Sequence, residues 1–199
     1  MLTVGVHDVP PGHIAAVVTH LEMPTPAAPP LSLPVGVVLR PVERPDPAWY
    51  RDLFRRVGAL DWLWFSRLLL TDADLTAILH DPDVEVFALD REGRAEGLLE
   101  MDFRPKDGTC ELAFLGLTEA LQGKGVGAAM VGYGVGRARA RAVPRMTVHT
   151  CTLDSPWAVT FYRAQGFVPT RREVEIVPDP RLSGHLPPDA APHHPVLSP

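Results

Sequence analysis

Proline sets the limits on this fold. The chain of 199 residues carries 22 prolines, and they are unevenly spread, with eight between Pro24 and Pro47 and seven between Pro178 and Pro199. Each proline fixes φ and removes a backbone donor, so neither stretch can form regular helix or interior strand. Regular structure is therefore expected mainly between them, in enough chain for one domain of ordinary size. This divides the sequence into residues 1–45, with two short strands around a proline-rich segment, a folded domain over 46–177, and a proline- and histidine-rich tail over 178–199. The tail is expected to lie extended on the surface. Its His185, His193 and His194 lack a rigidly held further ligand, so no metal site is expected.

Lys and Arg total 19 against 24 Asp and Glu, a formal net charge of −5. That leaves no basic face of the kind nucleic acid or anionic lipid needs, and neither is expected as a partner. Hydrophobic residues at 46% and charged residues at 22% fit a globular chain. Cys110 and Cys151 are too few for a disulfide framework or a structural zinc. No Lys or Arg precedes Arg40, the apolar run Ile14–Val18 is too short for a leader, and nothing approaches the ~20 apolar residues of a membrane span. The expectation is a cytoplasmic protein with reduced thiols.

Local patterns give the order of elements. His13–Leu21 and Val35–Leu39 read as strands. Asp46-Pro47 caps a helix with Trp49, Leu53, Phe54 and Val57 at helical spacing until Gly58, and Thr71 starts a second with Leu75, Ile78 and Leu79 inward. Val84–Leu89 and Gly97–Phe103 form a hairpin, a turn over Pro105-Lys106-Asp107-Gly108 follows, and Glu111–Leu117 is a third strand of the meander. Gly125 to Arg141 is helical, with Val126, Met130, Tyr133 and Ala140 inward. Met146–Cys151 is a strand, Ser155-Pro156 opens a short helix ended by Gly166, and Arg171–Val177 adds a last strand. The sum is an α/β chain built on a mixed sheet.

The segment from Glu111 to Gly127 carries the most chemistry. A strand runs into a loop with glycines at 123, 125 and 127, and a helix follows at once. Such a loop leaves N–H groups uncovered beside the positive end of a helix dipole, where a pyrophosphate fits; a bare tight turn is the alternative. The P-loop pattern fails because Lys124 is followed by Gly125 rather than Ser or Thr. A dinucleotide fold needs an acid about 20 positions on, and Arg139–Arg145 offers none.

Gln122-x-x-Gly125-x-Gly127, placed after a strand, resembles the acyl-CoA-binding signature of the GNAT superfamily of N-acetyltransferases. Tyr162-Arg-Ala-Gln-Gly166-Phe167, preceded by Ala158, is similar to that family's later Tyr-x-x-x-Gly-Phe segment. The resemblance spans about residues 46–177 and implies the GNAT fold, here with an N-terminal strand extension. It implies that acetyl-CoA is the cosubstrate and that an amine, on a small molecule or a peptide, attacks it directly. It also implies that Gln122, Gly123, Lys124 and Gly125, with Val126, Gly127 and Ala128, hold the pyrophosphate through backbone donors. Leu115 and Leu117 would pair main-chain groups with the pantetheine, and Gly116 between them is expected to form a bulge that opens the sheet. Ser155 stands where the family more often has asparagine, and is expected to cap the helix that carries Ala158.

Tyr162 is the candidate general acid for the departing thiolate. For the base, Glu111 and Glu100 lead, with ordered water as the alternative and His149 and Asp154 behind them. Simple alternation puts Glu111 on the face of Ala113, Leu115 and Leu117, and Glu100 is expected to point into a cleft. Arg137, Arg139 and Arg141 are read as a solvated face, Trp49, Tyr50, Trp62, Trp64 and Phe65 as an aromatic cluster, and the cysteines as core. A second reading keeps the coenzyme site without chemistry, as a silent acyl-CoA-binding or scaffolding protein. The added N-terminal strands offer an edge for a homodimer.

Overall fold

A computed structural model describes residues 3–27, 32–105 and 107–199. Lys106, in the expected turn, and the centre of the first proline-rich stretch lie outside the described residues. The strands are β1 (His13–Pro24), β2 (Val37–Pro41), β3 (Val84–Arg91), β4 (Arg94–Asp102), β5 (Thr109–Leu117), β6 (Arg145–Cys151) and β7 (Val168–Pro178). They form one sheet in the order β2-β3-β4-β5-β6-β1-β7. Every neighbouring pair is antiparallel except β5 and β6, which are parallel. Of the two N-terminal strands expected to offer a free edge, β2 does so, but β1 lies inside the sheet between β6 and β7.

The helices are α1 (Pro47–Phe54), the single turn α2 (Leu60–Trp62), α3 (Asp72–Leu79), α4 (Val126–Ala140) and α5 (Ala158–Ala164). Asp46 caps α1 by accepting from the N–H groups of Ala48 and Trp49, and Thr71 caps α3 by accepting from Asp74 N–H. Two cores result. Tyr50, Leu53 and Phe54 of α1 and Leu75 and Leu79 of α3 bury against one face of the sheet. Val126, Met130 and Val135 of α4 and Tyr162 of α5 bury against the other. Among the described residues no helix is long and apolar enough to cross a membrane.

Gly58 does not end the first helix as expected. It lies in a π-helical turn, Arg55–Ala59, that joins α1 to α2, and the run stops at Leu63, where φ is 54°. The reason is the Trp64 indole, which packs where a side chain at 58 would be: a Cβ there would stand 2.1 Å from a ring carbon. The expected bulge at Gly116 is also displaced. Gly116 pairs regularly with Leu98, whereas the register jumps between Glu100↔Phe114 and Met101↔Leu112, leaving Ala113 as the extra residue. Gly116 is small for another reason, since a Cβ would lie 2.7 Å from Val57 and 3.0 Å from Trp64.

At the far end of α4, Ala140 is exposed rather than inward. Arg137 and Arg141, one turn apart, both bind Glu85 of β3, and Arg141 also binds Asp83 and covers the Phe103 ring. These arginines tie helix to sheet and stand at the end of α4 opposite the glycine loop. The aromatic cluster divides: Phe54, Trp64 and Phe114 pack together, Trp62 packs on His193, and Trp49 sits against Arg40.

The tail is packed, not extended over the surface. Leu186, Ala190 and Ala191 join the α1-side core. Arg181 organises it, gripping Asp179 with two hydrogen bonds of 2.9 and 2.7 Å and donating to the carbonyls of Ala190 and His194. Both partners are almost fully buried, at 1% and 2% side-chain exposure. Ala191 N–H then donates to Leu60 O, and Gly12 N–H to Leu197 O, tying the tail to α2 and to the start of β1.

Two stability effects follow from this packing. Arg181→Met removes the ion pair from Asp179, leaving only the backbone N–H of residue 181 on its Oδ1, and takes the side-chain donor from two carbonyls, so urea unfolding is expected to show a loss of about 3–5 kcal/mol, the cost of breaking a buried pair. Gly58→Ala forces Trp64 out of its seat, with an expected loss of about 1–3 kcal/mol from overpacking. Wild-type midpoints in both variants would contradict the packing described.

Candidate active site

β5 and β6 pair over three positions only, Thr109↔Arg145, Cys110↔Met146 and Glu111↔Thr147. Beyond Glu111 the strands part, and Leu112 and Phe114–Leu117 keep ladder partners only on the β4 side. A cavity of about 690 Å³ occupies the split. Tyr162, Phe161 and Val126 line it from the α4 side, and Trp64, Phe65 and His149 from the α1 side, so it runs through the sheet.

The glycine loop closes one end. Gly123 and Gly125 have φ of +71° and +73°, which an L side chain adopts only with strain, and a Cβ at either would meet nothing within 4 Å. Gly125 is the N-cap of α4 and supplies no side-chain cap. The first N–H groups of the helix, at Val126, Gly127 and Ala128, therefore carry the unpaired donors and positive dipole end that suit a phosphate. Gly127 is small for packing, with Phe161 of α5 3.3 Å from where its Cβ would be. Gln122 fixes the loop to the open strand by donating from Nε2 to Leu117 O at 2.8 Å, and Lys124 Nζ donates to Ala120 O. Leu115, Gly116 and Leu117 line the cavity, as do Ser155 and Ala158. Ser155 does not cap α5: its Oγ accepts from Trp157 N–H in the turn before the helix, which starts at Ala158.

Tyr162 is held by the end of its own helix. Phe167 N–H donates to Tyr162 O and Gly166 N–H to Arg163 O, with Gly166 at φ +100°. This is a Schellman motif, and its apolar partner contact is the edge-on packing of Phe167 against the Tyr162 ring. The spacing Tyr-x-x-x-Gly-Phe thus fixes one aromatic ring in the cavity wall. Burial first, and the Asp154 carboxylate second, push the phenol well above its ordinary pKa and keep it protonated.

The carboxylates fall differently from the expectation. Because Ala113 is bulged, Glu111 lies opposite Asp102 and on the face of Phe114, while Leu115 and Leu117 turn to the α4 side. Glu100 is fully buried, accepting from Tyr50 Oη and from Arg67, which packs over Phe114. It does not reach the cavity. Asp154 has both oxygens engaged, one by Trp64 Nε1 and the other by Thr150 Oγ1 and Cys151 N–H. His149 lines the cavity, and its Nδ1 meets Glu111 Oε1 at 2.6 Å. The sequence ranked His149 below Glu111 because nothing in the spacing of 111 and 149 shows that they touch. Burial raises the Cys151 thiol to about 11 and the Cys110 thiol to about 12, which leaves neither as a thiolate nucleophile.

The sequence matches the acetyltransferase (GNAT) family over residues 47–167. A mycothiol acetyltransferase of Jonesia denitrificans is 30% identical over 125 residues, which cover 60% of this chain and 40% of that protein. The chain therefore spans less than half the length of this relative. Among solved structures, a GCN5-related N-acetyltransferase from Sphaerobacter thermophilus superposes with a TM-score of 0.63 at 17% identity, covering 83% of this chain and 53% of that one. A conserved protein of unknown function from Staphylococcus epidermidis also gives 0.63, at 16% identity, over 84% and 63% of the two chains. The two solved structures share the fold, and with a match over residues 47–167 this chain belongs to the GNAT acetyltransferase family.

Proposed function

We propose that the chain transfers an acetyl group from acetyl-CoA to an amine by direct attack. The observation that carries this reading is the cavity through the split sheet, bounded by an uncapped helix N-terminus at one end and an unpaired strand edge along its length. Acetyl-CoA supplies the acetyl group as a thioester. The N–H groups of Val126, Gly127 and Ala128 receive its pyrophosphate, and the open edge Leu112–Leu117 accepts the pantetheine amides as a further strand would. An N–H of that edge polarises the thioester carbonyl. Tyr162, protonated and on the α4 side, gives its proton to the departing sulfur. A cytoplasmic location, where acetyl-CoA and free thiols coexist, accompanies this reading.

Two measurements test it. Calorimetry with acetyl-CoA is expected to show binding that Gly125→Val abolishes, since that residue needs φ near +73° and open space above it. Tyr162→Phe is expected to lower kcat by about 100-fold or more, the usual weight of a proton donor, with acetyl-CoA affinity retained. Full turnover in the phenylalanine variant would remove Tyr162 from the reaction.

A further inference from the structure

Resting on the acetyl-transfer reading, we propose that His149 is the general base, taking the proton of the acceptor amine on Nε2 while Glu111 holds the ring through Nδ1. Three observations converge on it. His149 lines the cavity on the α1 side, where Met146 and Val148 of the same strand turn away to the α4 core. Its side chain is 47% exposed, so an acceptor can reach it. With Nδ1 committed to Glu111, Nε2 has no hydrogen-bond partner among the described residues. The carboxylates singled out from the sequence are not available: Glu100 is sealed beneath Tyr50 and Arg67, Asp154 is fully engaged, and Glu111 stands behind the imidazole, outside the cavity lining; Glu175 of β7 also lines the cavity and flanks the imidazole.

The sheet separates base from acid. His149 faces the α1 side and Tyr162 the α4 side, with the split between them. The amine nitrogen bonds to the acetyl carbon from the His149 side as the carbon–sulfur bond breaks toward the Tyr162 side. The N–H proton goes to His149 Nε2 and the phenolic proton to sulfur, giving amide and free thiol. The imidazolium then loses its proton to solvent, and the phenolate regains one from solvent, so the enzyme returns unchanged. Glu111 is a positioning residue: it fixes the tautomer and stabilises the imidazolium.

The groups facing His149 set its titration. Glu111 comes from β5, Asp154 from the loop after β6, Glu175 from β7, and His20 from β1, 5.9 Å away ring to ring. His20 is itself paired with Glu173 at 2.7 Å and in contact with Arg171. The hydrogen bond donated to Glu111 raises the His149 pKa above its ordinary value; burial opposes this, and the charges of Glu111, Asp154 and Glu175 reinforce it. A base must be neutral to act, so activity appears only as pH rises through that raised pKa. Removing the Glu111 charge lowers the pKa and moves the acid limb to lower pH.

The test uses the full chain, acetyl-CoA, and three amine probes, 2-phenylethylamine, spermidine and glycinamide, with thiol release as the rate and calorimetry as the binding control. The proposal expects His149→Gln to bind acetyl-CoA normally but turn over about 100-fold more slowly. It also expects Glu111→Gln to shift the acid limb of kcat/KM to lower pH with the probe the wild type uses. Wild-type turnover in His149→Gln, or an acid limb that stays in place in Glu111→Gln, overturns the assignment and leaves acetyl transfer standing. Acetyl-CoA binding without thiol release by the wild type on any probe overturns the transfer reading, and this assignment with it.

Discussion

Parallel strands that begin as neighbours and then separate leave backbone N–H and C=O groups facing each other across a gap. In β5 the ladder to β6 ends at Glu111, and six residues of unpaired edge follow. Each buried backbone group without a partner costs about 1–3 kcal/mol, so a sheet does not stay parted unless the surrounding packing holds it. Here Trp64 does much of that holding. Its ring sits over Gly58 and Gly116, packs on Phe54 and Phe114, and its Nε1 donates to Asp154 just past the end of β6. One side chain therefore touches the floor at β5 and the loop beyond β6, and it needs two glycines to fit.

The far side is held by a different device. α5 ends in a Schellman motif that seats Phe167 against Tyr162, and Phe161 fills the space left by Gly127 of α4. β1, inserted between β6 and β7, pairs with the other edge of β6 along its whole length, from Val18↔Cys151 to Pro24↔Arg145, and so keeps β6 in the sheet after it leaves β5. Because β6 and β7 are both antiparallel to β1, they run parallel to each other on either side of it, and α5 is the crossover that carries the chain between them. The N-terminal strand is thus part of the site's foundation, although it lies outside the segment that matches the family.

Much of this was legible in the chain. Asp46 and Thr71 announce their helices because a short polar cap before an apolar repeat has one stable use. The alternation in β3 through β5 and the glycines from 123 to 127 gave the meander and the loop. Tyr162, Gly166 and Phe167 were readable as a unit because a left-handed glycine after a helix brings its neighbours together. What stayed hidden depends on pairing across the sheet. The bulge at Ala113 leaves no mark in composition, yet it inverts which face Glu111 shares. The contacts of Glu100 with Arg67, of His149 with Glu111 and of Arg181 with Asp179 join residues whose separation in sequence or proline-rich setting gave no cue.

The central claim is that the open edge of β5 and the first turn of α4 together receive acetyl-CoA through their backbone. Amide hydrogen exchange, resolved by residue, reads those groups directly. Acetyl-CoA is predicted to slow exchange at Val126–Ala128 and within Leu112–Leu117, while β3 and the Arg181 region stay as they were. Unchanged exchange at both segments under saturating acetyl-CoA would contradict the account.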